Sequence, residues 1–247
     1  MFITPKKIYH KYVGNNVGKV LPDRFGVLCW NLNKFSDAHR LNNELLAWER
    51  TWNLELLFLQ EARFDTLSET LKNRYEIHGA ANLQLGGKQY GVMTASRTEA
   101  SHTQSFHTKG REGLIGPKKS FLITEYPVPE KGKLLCLNLH AINFREERRY
   151  RLELEYVKEK LIEHEGAMIV AGDFNRWNDS RGRKLNEFRE TLNLKQLDIS
   201  SRHLKSFMGH PLDFVLYRGL NVKRYEVIDH EISDHNPILV EFSVSNM

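Results

Sequence analysis

At 247 residues, with 40% hydrophobic and 11% aromatic content, the chain can bury a substantial core, and no repeat or low-complexity tract divides it. No apolar run approaches membrane-spanning length and the first residues lack the apolar centre of a signal peptide, so the expectation is a cytoplasmic protein without a membrane span. The formal charge of +5 invites a polyanionic partner, but residues 1–24 hold most of it: Lys6, Lys7, Lys11, Lys19 and Arg24 against Asp23 alone, a net +4 that leaves +1 for the rest. We therefore read a basic N-terminal arm, residues 1–24, ahead of one domain, residues 25–247. The arm either contacts phosphates or is a solvated tail. The two cysteines, Cys29 and Cys136, sit inside apolar runs and read as buried reduced thiols rather than a disulfide framework.

After the arm, Phe25 to Leu32 reads as a strand that delivers Trp30 and Asn31. Ser36 or Asp37 then caps a helix whose apolar stripe is Leu41, Leu45, Leu46 and Trp48. Leu54 to Leu59 is a second buried strand, ending in Gln60 and Glu61. Between residues 73 and 135 the clearest strands are Tyr90–Ala95, Ser120–Tyr126 and Lys133–Asn138, the last followed by His140. A long helix from about Arg145 to Glu165 buries Tyr150, Leu154, Val157 and Leu161, spaced i, i+4, i+7 and i+11.

Met168 to Ala171 then reads as a fully buried strand. It ends at Gly172, where the backbone is expected to turn, and presents Asp173 and Asn175. Residues i and i+2 of an extended chain share a face, so a carboxylate and a carboxamide point together, as a phosphoryl site requires. An Asx-turn at a strand end fits the same residues. A polar helix follows from Arg181 to Leu192, then strands Leu212–Tyr217, with Asp213, and Pro237–Phe242, preceded by Asp234 and His235. Arg176, Arg181, Arg183 and Lys184 either grip a polyanion or form a charged helix face. The pattern is strand-rich with irregular connections, which argues against a repeated βαβ barrel and fits two packed sheets with helices outside.

Asn31, Glu61, His140, Asp173 with Asn175, Asp213, and Asp234 with His235 thus share one context, a buried strand and then a polar group at its end or beside it. The remaining histidines, among them His78, His164 and His230, have no motif around them and read as structural or solvated.

WN at 30–31, LQE at 59–61, NLH at 138–140, GDFN at 172–175, LDF at 212–214 and SDHNP at 233–237 resemble, in order, the motif series of the endonuclease/exonuclease/phosphatase superfamily, which includes DNase I, AP endonucleases, sphingomyelinases and inositol-polyphosphate 5-phosphatases. The resemblance spans about residues 26–242. HAINF at 140–144 and the LDFVLYRGLNV run at 212–222 resemble a small bacterial branch known mainly by superfamily membership.

The resemblance implies a four-layer α/β/β/α sandwich, two mixed β-sheets packed face to face with helices outside. It implies a Mg²⁺ ion, with Mn²⁺ as a substitute, held mainly by Glu61 with Asn31 and Asp234 nearby. Asp173 would orient or deprotonate the attacking water and Asn175 would bind the phosphate. His235, its ring held by Asp213, would contact the scissile phosphate, and His140 would act near the leaving group, where AP endonucleases tend to have tyrosine. The implied function is Mg²⁺-dependent hydrolysis of phosphate esters, foremost as an endonuclease on nucleic acid, by a monomer. A phospholipid or small-molecule phosphodiesterase, a phosphomonoesterase, and a binding protein on a retired catalytic fold are the alternatives. The presence of Glu61, Asp173 and His235 weighs against the last.

Overall fold

The computed structural model describes residues 5, 9–15, 17–111, 116–129, 132–143 and 147–244. Lys6, Lys7, Ile8, Phe144 and Arg145 lie outside the described residues. In chain order the elements are β1 (Tyr9–Tyr12), β2 (Arg24–Asn31), α1 (Ala38–Trp52), β3 (Leu54–Arg63), α2 (Phe64–Leu71), β4 (Glu76–Leu85), β5 (Lys88–Ser96), β6 (His102–Arg111), β7 (Lys118–Val128), β8 (Gly132–His140), α3 (Glu147–Leu161), β9 (Met168–Asp173), α4 (Asp179–Thr191), β10 (Lys195–Gln196), β11 (Ser206–Phe207), β12 (His210–Pro211), β13 (Asp213–Arg218), β14 (Leu220–Val227) and β15 (Ile238–Val244).

Two mixed sheets form the centre. The first has the order β1-β4-β5-β3-β2-β15-β14 and the second β10-β13-β9-β8-β7-β6; β11 and β12 make a separate small hairpin. Each large sheet holds one parallel pair, β2 with β3 and β8 with β9, among antiparallel neighbours. Parallel neighbours need a crossover, usually a helix, and α1 and α3 supply it. The sheets face each other across a core that includes Val27, Phe58, Cys136, Ile169, Val215 and Phe242. Helices α1 and α2 cover the outer face of the first sheet over Leu28, Leu57 and Leu239; α3 and α4 cover the second over Leu137, Val170 and Leu216. The result is the expected four-layer sandwich. It follows from the strands' composition: β3 and β9 have apolar residues at odd and even positions alike, because both faces are covered.

Local signals explain the helix ends. The Asp37 side chain accepts the Arg40 N–H at 3.0 Å and starts α1, and Asn178 does the same for α4 through the Arg181 N–H at 2.8 Å. Tyr150, Leu154, Val157 and Leu161 are the buried stripe of α3, as their spacing predicts. Cys29 and Cys136 are buried free thiols. Among the described residues no helix is long and apolar enough to cross a membrane.

The described part of residues 1–24 packs on the rest of the chain. Tyr9–Tyr12 pairs with Ile77–Ala80 at the edge of the first sheet, and Leu21 is fully buried in the inter-sheet core. Lys11 pairs with Glu76 at 2.8 Å, Lys19 with Glu99, and Arg24 with Glu241. These three cations already have anions within the protein.

Gly172 is not the turn that its residue type suggests. The strand continues through Asp173, and Gly172 is needed for close approach: a Cβ there would stand 1.9 Å from the Leu139 carbonyl oxygen, at a φ of +142°.

Candidate active site

The polar groups converge because strand register aligns them. His140 lies opposite Asp173 in the β8–β9 ladder, Asp213 lies opposite Asp173 in the β13–β9 ladder, and Asn31 lies opposite Gln60, one residue before Glu61, in the β2–β3 ladder. Adjacent strands are about 4.8 Å apart, so three neighbouring strand ends place their side chains within contact range without any further device. The loop between β14 and β15 brings Asp234 and His235. Asn31, Glu61, His140, Asp173, Asn175, Asp234 and His235 all line one cavity of about 220 Å³. Asp213 stands behind it, 4% exposed, and is reached through His235.

Asp213 Oδ2 is 2.7 Å from His235 Nδ1, the contact that the family resemblance implies. Burial alone would lower the His235 pKa, but the charges of Asp213 and Asp173 and the Asp213 hydrogen bond raise it to about 9. The Trp30 indole N–H donates to the His235 carbonyl at 2.8 Å, and Ser233 Oγ donates to the Asn31 carbonyl at 2.6 Å, so the loop is tied to β2.

Asp173 sits at the centre. Asn31 Nδ2 donates to its Oδ2 at 3.1 Å and the Asn175 N–H to its Oδ1 at 2.9 Å; His140 Nε2 lies 3.6 Å and His235 Nε2 4.0 Å from Oδ2. The Asx-turn is thus present, and it is this turn, with Asn175 at a φ of +48° beyond the end of β9, rather than strand alternation, that brings Asn175 to the same cavity as Asp173. Asn175 Nδ2 donates to the Ala141 carbonyl at 2.8 Å, joining the segments that follow β8 and β9. Burial and the neighbouring Asp213 charge push the Asp173 pKa up to about 7. His140 is pushed well below the usual imidazole range by burial and by the nearby cations Lys119, His235 and Lys34, so it is neutral at neutral pH.

Glu61 has the opposite environment. Burial raises its pKa, but Lys119 and Lys34 more than offset this and hold the carboxyl ionised. Lys34 Nζ donates to Glu61 Oε2, Lys119 Nζ is 3.7 Å from Oε1, and His140 Nε2 is 3.9 Å from the same oxygen. Asn33, Lys34, Glu61 and Asn175 are four of the seven non-glycine residues with positive φ among the described residues. Strain of this kind collects at functional sites, and for Glu and Lys it is the less tolerated form.

As to a metal, Asn31, Glu61 and Asp234 offer oxygen donors that include two ionised carboxylates, half-buried Glu61 and exposed Asp234, which suits a hard divalent cation that keeps some of its water. Asp234 is also held ionised, burial being outweighed by the Lys205 hydrogen bond of 2.8 Å. Asp173, Asp213 and His235 form a second buried group whose ligand atoms lie within 4.8 Å of one another.

Three lysines escape a motif reading. Lys34, Lys119 and Lys205 lie in a turn, at the start of a strand and in a loop, and each becomes meaningful only through the carboxylate beside it. Arg181 is neither a substrate grip nor part of an exposed helix face. It is fully buried, 4.3 Å over the Tyr150 ring and 4.7 Å over that of Trp177. Its Nη1 donates to the carbonyls of Asn175 at 2.8 Å and Ile142 at 3.0 Å. Arg181 therefore braces, from behind, the two segments that carry His140 and Asp173. Three unassigned histidines serve structure: buried His78 bonds Tyr9 and Glu76, and, both half-buried, His164 bonds the Ala167 carbonyl and His230 packs between Trp30 and Trp48.

Comparison with known proteins shows the family and the fold. A relative named "UPF0294 protein" from Erwinia tasmaniensis is 32% identical over 252 residues, covering 97% of this chain and 90% of that protein. A crystal structure of an endonuclease/exonuclease/phosphatase from Beutenbergia cavernae superposes with a TM-score of 0.69 at 14% identity, covering 90% of this chain and 72% of that one. D. rerio TDP2, in a crystal structure with a single-strand DNA product, superposes with a TM-score of 0.65 at 13% identity, covering 90% and 100%. The model of the Endonuclease/Exonuclease/phosphatase family matches residues 28–235, from β2 to the His235 loop. The chain belongs to the endonuclease/exonuclease/phosphatase family, whose members hydrolyse phosphate esters.

Proposed function

We propose that the protein is a divalent-metal-dependent phosphodiesterase that cleaves nucleic acid by attack of water on phosphorus. The observation that carries this reading is the convergence, in one cavity, of a carboxyl with a pKa of about 7, Asp173, a protonated imidazole, His235, and an ionised carboxylate, Glu61, flanked by lysines. Asp173, held by Asn31 and Asn175, accepts the proton of the attacking water at Oδ2 or Oδ1. His235, charged by virtue of Asp213, donates from Nε2 to a non-bridging phosphate oxygen, and Asn175 assists. His140, neutral and 3.6 Å from Asp173, stands beside the path of the leaving group. Glu61, Asn31 and Asp234 are the residues that would hold Mg²⁺, with Mn²⁺ as a substitute. The ion would supply Lewis-acid stabilisation of charge on the phosphoryl group.

Nucleic acid is favoured because Lys119 and Lys205 line the cavity, with Lys34 beside it on Glu61, and because a structural relative binds a DNA product. We place the protein in the cytoplasm, acting as a monomer. The test is a metal-dependent activity panel of DNA, RNA, phospholipid and phosphomonoesters. Hydrolysis of nucleic acid that needs Mg²⁺ or Mn²⁺ and stops on chelation is expected. Full activity in excess chelator after exhaustive dialysis refutes the metal, and turnover confined to phospholipids or monoesters refutes the substrate.

A further inference from the structure

Two β-bulges, one in each neighbour of β5, meet at Gly91. In β3 the pairing slips between Leu59 and Ala62, and in β4 it slips between Ala81 and Leu83. Gly91 therefore pairs with Ala62 on one side and Ala81 on the other, and Tyr90 pairs with Arg63 and Leu83. Gly91 permits this because a Cβ there would stand 2.1 Å from the Ala80 carbonyl oxygen. Bulges re-aim side chains and collect beside active sites. The bulged residues include Glu61 in β3 and Asn82 in β4, and both line a second chamber of about 260 Å³.

This chamber shares Glu61, Lys119 and His140 with the catalytic cavity but not Asp173, Asp234 or His235. It therefore opens off the Glu61 side, within a few bonds of where a phosphate would lie. Beyond Lys34 and Asn82, the rest of its wall is Leu83, Tyr90, Gly116 and Pro117. Asn82 Nδ2 donates to the Lys118 carbonyl at 2.7 Å and so ties the two sheets together at the chamber. The chamber is smaller than the roughly 300–1,000 Å³ typical of sites for drug-sized ligands, so it has room for one ring system and not for acyl chains.

We propose that this chamber seats a flat aromatic or heteroaromatic ring carried by the substrate a few bonds from phosphorus, against Tyr90, Leu83 and Pro117. It thereby selects ring-bearing phosphate esters over short alkyl ones. The proposal rests on the phosphoesterase reading and adds the substituent that the site recognises. The shared chemistry, a planar ring, has two sources: a nucleobase reached across a sugar, or an aryl group joined directly to the phosphate.

The test uses three phosphate monoesters as competitive inhibitors of methyl p-nitrophenyl phosphate hydrolysis: methyl phosphate, phenyl phosphate and thymidine 5′-monophosphate. Each carries one substituent, so the position of the ring is unambiguous. At least one ring-bearing ester should bind about tenfold or more tightly than methyl phosphate, the scale of a stacked ring. The tighter of the two identifies the source. Pro117→Trp, which plugs the chamber from a loop, and Tyr90→Ala, which removes a wall, should each collapse the ratio, with folding checked by circular dichroism. Equal inhibition by all three esters in the wild type, or a ring preference that survives in both folded variants, overturns the proposal. If the wild type hydrolyses no diester, the phosphoesterase reading fails separately, and calorimetric titration with the same three monoesters still measures the ring preference.

Discussion

The two halves of the molecule use one supersecondary unit to opposite electrostatic ends. In the first, β2–α1–β3, the parallel pair delivers Asn31 and Glu61; in the second, β8–α3–β9, it delivers His140 and Asp173. The ladder of the second runs unbroken to the carboxylate, and burial with the Asp213 charge lifts Asp173 to a pKa of about 7. In the first, β3 bulges against its other neighbour, β5, Glu61 takes a φ of +48°, and two lysines hold it ionised. Two carboxylates that line the same cavity are thus held in opposite electrostatic environments, and under the proposed function one would take a proton and the other hold a cation. The crossover helices differ in the same sense. Glu49 of α1 is paired with Arg97 at 2.7 Å and Arg74 at 3.2 Å, whereas Glu153 of α3 accepts the Ile142 N–H at 3.0 Å and is pushed up to about 8 by burial.

The largest test removes the proton acceptor. Asp173→Asn, and separately His235→Ala, should lower kcat by on the order of 10²–10⁴ in steady-state assays, the scale of acid–base and oxyanion groups. Near wild-type turnover in folded variants would break the contrast between the halves. A change of about a few kcal/mol is next. Glu153 keeps its proton in the folded protein up to about pH 8, while the unfolded chain releases it near 4.5. The unfolded state therefore holds fewer protons between these values, and the Glu153 contribution makes stability fall as pH rises through that window. Glu153→Gln retains an acceptor for Ile142 and should flatten the slope, gaining on the order of a few kcal/mol over wild type at pH 8 in denaturant titrations. Glu61→Gln should raise the Mg²⁺ concentration for half-maximal rate by about tenfold or more, because a neutral amide is a weaker ligand for a hard cation. The smallest effect belongs to Lys19→Ala. Its pair with Glu99 is exposed, so stability should shift by less than about 1 kcal/mol. The slope of log affinity for DNA against log salt should change by less than the roughly 0.7–0.9 of one phosphate contact.

Much of the site could be read from residues alone because each group ends, begins or adjoins a buried strand, where composition changes abruptly from apolar to polar. Asn31, His140 and Asp173 are all of this kind. What escaped lacks that signature. β6 and β14 are polar edge strands with exposed or half-buried residues at most positions, and α2 follows β3 without a linker. Arg181 sits among charged residues near the start of α4 and gives no periodic signal. Its burial is satisfied by two carbonyls and two aromatic rings contributed by other segments, which only the tertiary structure assembles. The bulges that shape Glu61 and Asn82 are likewise matters of pairing, invisible in the alternation of one strand.

The missing side chain at Gly172 bears on how such a protein can diverge. Because β9 passes against Leu139 with no room for a methyl group, the spacing between His140 and Asp173 is inherited from backbone contact one residue away. Lengthening the segments beyond the strand ends leaves that spacing intact. Any substitution at 172 would shift the imidazole and the carboxylate together. The segments that follow β8 and β9 are therefore free to vary in length while a single hydrogen atom at 172 keeps the imidazole and the carboxylate in register.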